Sequence, residues 1–350
     1  MENVEIFRLP ELQAHLQALV DDPALPPDAQ LLDDISLQLT DANIPPLLPQ
    51  LLPLITNILL TTTHDPGPLF TFTIKLLSPL SFTDCLAFAD QTALLTALQS
   101  PAPGANLLAV TIVHKAARTP ADVAVLAGMQ GVVEEVLKRW LDSPHVGVGS
   151  RCQEALGDLL KTESGVPSTG AVNGTREYSS LEQSRLWDLV FSLSSLSIIT
   201  KLCSPNPHDS SRQAYQQYTT AQDRLIRILP HLATLNLPAI TQTSHPELFP
   251  LPPTIVASIG QGLLQWALMG MVDKSDLLMH MCLVDGFESL VKAMSLSPHG
   301  LGNEAVVKNL VRIAAQGDPQ LGPALRDSPN RVEDQVEADN LRAYIAQLLN

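Results

Sequence analysis

The chain has 350 residues, of which 45% are hydrophobic, 16% charged and 4% aromatic, so it is not a mostly disordered protein. Its apolar residues are mainly Leu, Ala, Val and Ile, which favours stacked helices over an aromatic-rich β-sandwich. The 36 Asp and Glu residues against 21 Lys and Arg give a formal net charge of −15, which argues against binding a polyanion such as DNA.

Neither the cysteines nor the first residues indicate secretion. The four cysteines lie far apart without a Cys-x-x-Cys motif, and residues 1–8 do not combine a basic with an apolar stretch. The most apolar stretch, residues 44–60, carries four prolines, which is typical of a buried helix and not of a membrane span. We therefore expect a cytoplasmic protein, with the nucleus as a second location and no membrane partner.

Helical periodicity is visible at both ends of the chain. Leu12, Leu16 and Leu19 recur at helical spacing near the start, and Leu341, Ile345 and Leu348 do so near the end. Prolines recur between the apolar segments, where they are tolerated in the first turn of a helix. This punctuation predicts helices of roughly 10 to 17 residues.

One segment departs from the helical pattern. Phe70, Phe72 and Ile74 alternate with polar residues in a period of two, which is compatible with a strand. The neighbouring segments are helical, and context easily overrides local propensity. We therefore favour a helix over residues 67–77 and keep the strand as the alternative.

Two parts of the chain resemble each other. A helix that begins at Gly131 is followed by a second helix over residues 150–160, and a helix predicted to begin at Gly286 is followed by one over residues 303–315. The two glycines lie 155 residues apart, which fits four repeats of about 39 residues. The pattern predicts an all-α fold, a single right-handed, curved α-solenoid of armadillo/HEAT-like repeats over residues 1–350.

Polar stretches interrupt the repeats. Residues 162–180 have few periodic apolar positions and are predicted to form an exposed loop, with shorter insertions at 204–211 and 244–253. The last helix, over residues 332–349, carries a polar outer surface, as the terminal cap of a solenoid requires.

No motif for chemistry is visible. The sequence contains no phosphate-binding glycine loop and no nucleophile elbow. His280 and Cys282 are two residues apart and so would point to different faces of a helix, which is poor spacing for a metal. Trp140, Trp187 and Trp266 lie in Leu- and Val-rich helices and are expected in the core. We therefore expect no catalytic residue, no cofactor and no metal.

In armadillo-type solenoids the last helix of each repeat lines the concave face, so its non-core positions are the expected partner-binding surface. These positions are Lys115, Arg118, Arg151, Glu154, Asp158, Lys161, Asn303, Lys308, Asn309 and Arg312. Basic residues gather among them, which predicts a groove for an acidic or mixed-charge partner. The alternative is that they are ordinary solubilising residues.

Three stretches, residues 68–82, 151–160 and 221–235, together resemble the fungal branch of the proteasome non-ATPase regulatory subunit 5 family. Fungal members of this family often carry a mismatch-repair name. The resemblance spans most of the chain, although the leucine-rich stretches are not diagnostic one by one. The chain is shorter than the usual members, which leaves open whether their C-terminal repeats are present.

The resemblance implies a dedicated chaperone for assembly of the base of the 26S proteasome regulatory particle. Such proteins are curved helical-repeat solenoids that hold the C-terminal domain of an AAA-type ATPase subunit, and they are neither enzymes nor cofactor-dependent. A role in mismatch repair through DNA contact would need a basic face, which the charge of −15 disfavours. We expect the free chain to be monomeric.

Two other readings of the sequence stay open. A generic armadillo/HEAT adaptor in trafficking, nuclear import or signalling is the runner-up. An import receptor would show a ladder of Trp and Asn, but Trp140 falls on a middle helix and Asn309 has no counterpart at Leu156. An enzyme on a helical scaffold would need clustered titratable groups, which the spacing does not suggest.

Overall fold

A computed structural model describes residues 6–165, 185–297 and 304–349. Across these ranges the chain forms nineteen α-helices and a few short 3-10 turns, and no β-strand. The predicted all-α class is confirmed. In the described ranges, no helix is both long enough and apolar enough to cross a membrane. The chain divides into two compact units, Met1–Arg118 and Thr119–Asn350.

The first unit contains seven α-helices in its described residues. Its helices are α1 (Leu9–Asp21), α2 (Ala29–Ser36), α3 (Leu48–Thr61), α4 (Gly67–Leu76), α5 (Phe82–Leu86), α6 (Gln91–Gln99) and α7 (Pro103–His114), followed by a 3-10 turn at Lys115–Arg118. Helix α4 packs against α2, α3 and α7, and α7 also packs against α6.

The second unit is organised around α13. Its helices are α8 (Pro120–Ala127), α9 (Gln130–Asp142), α10 (Val146–Glu163), α11 (Arg185–Val190), α12 (Leu193–Leu202), α13 (Arg212–Thr241), α14 (Pro253–Ile259), α15 (Leu263–Met269), α16 (Leu277–Leu296), α17 (Glu304–Gly317), α18 (Leu321–Asp327) and α19 (Gln335–Leu349). Helix α13 packs against α9, α10, α15 and α16, so it links α9 and α10 to α15 and α16.

Local sequence explains most helix starts. Pro103, Pro120 and Pro253 each open a helix, as the proline pattern predicts. Asp90 caps α6 by accepting a hydrogen bond from the backbone N–H of Ala93. The predicted length range is too narrow, because observed helices run from 5 to 30 residues.

The longest helix, α13, contains two prolines, Pro230 and Pro238. Pro230 lies within it, and the backbone leaves helical geometry only at Asn236, where φ is −154° and ψ is 79°. The Asn236 side chain accepts a hydrogen bond from the N–H of Ala239 and so restarts the helix after the kink. The residues after Asn236 form the short last part of α13, which ends at Thr241.

The segment with the period of two is helical, which confirms the preferred prediction. It forms α4, in which Leu69, Phe70, Phe72, Thr73 and Leu76 are buried. Because α4 is covered by three helices, apolar residues occur on several of its faces. Burial on several sides therefore explains why the sequence shows no clean helical period here.

The predicted equivalence of Gly131 and Gly286 is wrong. Gly131 is the second residue of α9, whereas Gly286 lies in the middle of α16. A Cβ atom at Gly286 would overlap the Cγ2 methyl of Ile226 on α13, so close helix packing explains the glycine. The spacing of 155 residues thus carries no information about the repeat period.

The predictions for the three tryptophans and for the last helix are confirmed. Trp140, Trp187 and Trp266 are 2%, 4% and 4% exposed, which confirms their place in the core. A closing helix is present as α19. The predicted loop at 162–180 begins inside α10, which runs to Glu163, and from residue 166 onward it lies outside the described residues.

We predict that Gly286→Ala lowers the free energy of unfolding by about 1–3 kcal/mol, because the added methyl overpacks the buried contact with Ile226. Urea denaturation followed by circular dichroism measures the change. Gly317→Ala is the control, since a Cβ atom there meets nothing within 4 Å. Equal stability of both variants would show that α13 and α16 are not packed this closely.

Candidate functional site

Lys115 is not at the exposed position that the sequence suggests. It is 6% exposed, and its Nζ donates to the carbonyl oxygens of Ser78 at 3.1 Å and Leu80 at 2.9 Å. Arg118 is exposed and donates to the same two carbonyls, at 3.3 Å and 3.2 Å. Both cations therefore stabilise the partial negative charges of backbone carbonyl oxygens just beyond the end of α4. Burial, with Arg118 nearby, lowers the pKa of Lys115.

Two of the predicted residues, Glu154 and Asp158, line a groove of about 620 Å³ between α10 and α13. Arg151 lies about two turns before Asp158 and pairs with Glu154, with an Nη1–Oε2 distance of 2.6 Å. Lys161 is half-buried on the same helix. The groove lies within the second unit, and its lining residues come from α10 and α13.

The wall of the groove depends on one buried cation. Arg224 of α13 is 9% exposed, and its Nη1 donates to the carbonyl oxygens of Trp140 at 2.8 Å and Leu141 at 3.2 Å, at the end of α9. Its guanidinium lies over Gly149, where a Cβ atom would come within 2.5 Å of Cζ. Burial lowers the pKa of Arg224. A glycine in α10 thus makes room for the side chain that closes α9.

The charges of the groove are mixed. Glu154, Asp158 and Asp223 contribute carboxylates, and Arg224 and Arg227 contribute guanidinium groups. Both arginines are already engaged, because Arg224 bonds backbone carbonyls and Arg227 Nε donates to both oxygens of Asp223 at 2.8 Å. The expected gathering of basic residues therefore does not give a basic groove.

The predicted residues of α17 belong to a different neighbourhood. Lys308 and Asn309 are half-buried, and the exposed Arg312 donates to Asn309 Oδ1 at 3.2 Å. Helix α17 packs against α14, α18 and α19, whereas α10 packs against α9 and α13. The structure does not bring these residues into the α10–α13 groove. Asn303 lies outside the described residues.

Sequence reasoning missed the α13 side of the groove. Asp223, Arg227 and His231 recur every four residues and line it together. This spacing was available as a signal, since the stretch contains both charges at i and i+4. What was lacking was the pairing of α13 with α10, which are separated by 48 residues of sequence.

The first unit has a groove of a different character. It measures about 680 Å³ and lies among α3, α4, α6 and α7. Leu59, Ala93 and Ala97 are typical of its lining, in which Asp90 is the one carboxylate among the described residues. Leu60 and Phe88 also line this groove, with 82% and 59% of their surface exposed. This groove offers apolar contact and little charge.

The thiols are not poised for chemistry. Burial raises the pKa of Cys152 to about 12 and that of Cys282 to about 11, and it also raises those of Cys85 and Cys203. All four thiols are therefore protonated at neutral pH, whereas nucleophilic and metal-binding cysteines are thiolates.

His280 is bonded to a carboxylate and not to the cysteine two residues away. Its Nε2 lies 2.7 Å from Oδ2 of the buried Asp318, and Lys274 Nζ lies 3.4 Å from the same oxygen. Although burial opposes ionisation of Asp318, the bonds from His280 and the N–H of Gln320, with Lys274 nearby, hold its pKa below the usual range. The cluster joins the start of α16 to the loop between α17 and α18.

Comparisons with known proteins add no identification: no protein-family model and no curated protein matches the chain.

We predict that Lys115→Met lowers the free energy of unfolding by about 2–3 kcal/mol, because two carbonyls lose their buried donor. Arg118→Met is the matched control, since it removes donors to the same carbonyls from an exposed position where water replaces them, and it should cost less than about 1 kcal/mol. Chemical denaturation compares the two. A larger loss in the Arg118 variant would contradict the burial of Lys115.

The raised thiol pKa values predict a loss of stability in alkali. Unfolded thiols ionise above about pH 8.5, while Cys152 and Cys203 stay protonated in the fold, so stability present below that pH falls as pH rises. The fall is about 1.4 kcal/mol per pH unit for each thiol. In a Cys152→Ala, Cys203→Ala variant, denaturation midpoints under reducing conditions should decline less steeply between about pH 9 and 11. Parallel declines would mean that both thiols ionise in the folded protein.

Proposed function

We propose that the chain is a non-catalytic, protein-binding chaperone that receives part of another protein in the groove between α10 and α13. More specifically, the partner is the C-terminal domain of an AAA-type ATPase subunit, and the activity is assembly of the base of the proteasome regulatory particle. The proposal includes a cytoplasmic location and a curved, right-handed α-solenoid of armadillo/HEAT-like repeats. The all-helical fold with packed neighbouring helices is consistent with that architecture.

The observation that carries the proposal is the groove itself. It is an open, mixed-charge depression of about 620 Å³ on two long helices, and it contains Glu154 and Asp158 from the expected surface. Rigid helices hold the positions of these carboxylates, which suits recognition of a folded surface. The resemblance of residues 151–160 and 221–235 to the chaperone family falls on the same two helices, α10 and α13.

The chemistry of the groove supports binding over catalysis. Arg224 and Arg227 are held by backbone carbonyls and by Asp223, so both serve the fold. Burial keeps the thiols protonated. Nucleophilic catalysis would instead need a base within reach of an activated nucleophile.

The charge of the groove indicates which charges its partner carries. Three carboxylates, Glu154, Asp158 and Asp223, line the groove against two arginines, which are already bonded to backbone carbonyls and to Asp223, so the lining as a whole suits the cations of a mixed-charge surface. We therefore propose that Lys or Arg residues of the ATPase domain face α10.

The apolar groove of the first unit favours a second candidate, an adaptor that binds a segment of another protein in trafficking, import or signalling. Its leucine- and alanine-rich lining, with Leu60 and Phe88 exposed, suits the apolar face of a helix. This adaptor needs no proteasomal partner, so the identity of the bound proteins separates the two candidates.

We predict that the tagged chain captures proteasomal ATPase subunits without the proteolytic core from a fungal lysate, as mass spectrometry would detect. An assembly chaperone leaves the mature particle, so its complexes lack the core. Recovery of trafficking or import factors instead would support the adaptor. Recovery of intact proteasomes alone would contradict a role confined to assembly.

The same capture should respond to charge in the groove. Glu154→Lys is expected to weaken binding of a purified ATPase C-terminal domain about threefold to tenfold, because it repels the facing cations. Asp339→Lys is the matched control, since it breaks an exposed i, i+3 pair with Arg342 that resembles the Arg151–Glu154 pair. Biolayer interferometry measures both, and equal affinities would place the partner outside the groove. Melting temperatures should stay nearly unchanged, because exposed ion pairs contribute little.

A further inference from the structure

Helix α16 begins with apolar side chains turned to solvent. Leu277, Leu278 and Met281 are 67%, 73% and 56% exposed, although Met279 between them is buried. Soluble proteins seldom expose several large apolar residues together unless they bind a partner. None of these residues lines the α10–α13 groove.

Helix α13 adds an aromatic residue to the same surface. The hydroxyl of Tyr215, which is 40% exposed, donates to the carboxylate of Asp276, the residue that caps α16. The ring of Tyr218 packs edge-on against that of Tyr215, with centroids 5.3 Å apart. This hydrogen bond raises the pKa of Tyr215 to about 12, so the phenol keeps its proton at neutral pH. We call Tyr215, Leu277, Leu278 and Met281 the apolar patch.

Two carboxylates lie at the start of α16, beside the apolar patch. Asp273 and Asp276 precede α16, whereas Asp285, one turn after Met281, is close enough to Arg227 and Arg331 to contribute to their raised pKa values. Hydrogen bonds from Ser275 and from Tyr215 lower the pKa values of Asp273 and Asp276 respectively, so both are ionised at neutral pH. The nearby Lys274 lies 3.4 Å from the buried Asp318 and is therefore paired. Asp273 and Asp276 therefore give the patch an acidic edge at the start of α16.

We propose that the apolar patch binds a basic amphipathic helix of another protein. Leucine and the flexible thioether of methionine accept apolar side chains of varied shape, and the adjacent aspartates attract Lys and Arg on the flanks of such a helix. A second copy of the chain would bring the same aspartates together, and an anionic membrane would be repelled for the same reason. The apolar patch is independent of the α10–α13 groove. If the patch does not bind a basic helix, the proposed function is therefore unaffected.

The test uses the full chain and a fluorescent model peptide of about 18 residues that forms a helix with leucines on one face and lysines on the other. Fluorescence anisotropy should report saturable binding that weakens as salt is raised, since the aspartates contribute. A peptide with glutamate in place of lysine should bind at least tenfold more weakly. Equal binding of the two peptides would overturn the basic character of the partner.

Matched variants separate the apolar patch from the general acidity of the protein. Leu278→Ser with Met281→Ser should weaken binding of the basic peptide about tenfold. Leu193→Ser, on a leucine 49% exposed in the first turn of α12, should leave it unchanged. All variants alter exposed positions, and circular dichroism checks that they fold.

Three results would contradict the proposal. The first is that the double variant binds the basic peptide with the same affinity as the parent chain. Sedimentation could instead show a dimer that only the double variant loses, which would make a second copy the occupant. Vesicles of neutral phosphatidylcholine could bind the parent chain but not the double variant, while the peptide fails to bind, which would make the patch a membrane contact.

Discussion

The structure depends on buried side-chain donors that close the carboxyl ends of helices. The last carbonyls of a helix have no partner within it, and in a stack of short helices many of these ends are covered by neighbours and cut off from water. Asn106, Gln222 and Gln265 each direct a side-chain amide at carbonyls in the last turn of another helix or just beyond its end, as Lys115 and Arg224 do with charged groups. An unpaired buried carbonyl would cost about 1–3 kcal/mol, so these five residues allow helices of 5 to 30 residues to pack end to side.

Two of these donors also set the order of packing. Gln222 Nε2 bonds the carbonyls of Cys203 and Met271, which follow α12 and α15, and so fixes two helix ends to α13. Gln265 Nε2 bonds Thr241 at the end of α13 and Ile259 at the end of α14. Each amide satisfies two distant carbonyls at once, which an apolar residue of similar size cannot do. Hydrogen-bond geometry thus adds specificity to a core whose leucines alone would tolerate many arrangements.

Sequence reasoning succeeded where the signal is local and failed where it depends on pairing. The leucine spacing in α1 and α19 and the burial of the three tryptophans follow from periodicity and composition, which act within one helix. The burial of Lys115 could not be predicted, because it depends on carbonyls 35 and 37 residues away. Gly286 looked like a helix start and is a packing contact, because Ile226, 60 residues earlier, lies against it. The α13 side of the candidate groove likewise could not be predicted, because it depends on the packing of α13 against α10.

The same buried donors shape the surfaces that remain for partners. With 21 basic residues against 36 acidic ones, each cation used inside the fold leaves the exterior more acidic. Lys115 and Arg224 bind backbone in the interior, and Arg227 is held by Asp223, so neither the groove nor the apolar patch presents an unengaged cluster of cations. Because an excess of carboxylates attracts cations, the partners proposed for both surfaces are ones that bring their own Lys and Arg. The proposed preference for such partners thus follows in part from the use of Lys115 and Arg224 to close helix ends.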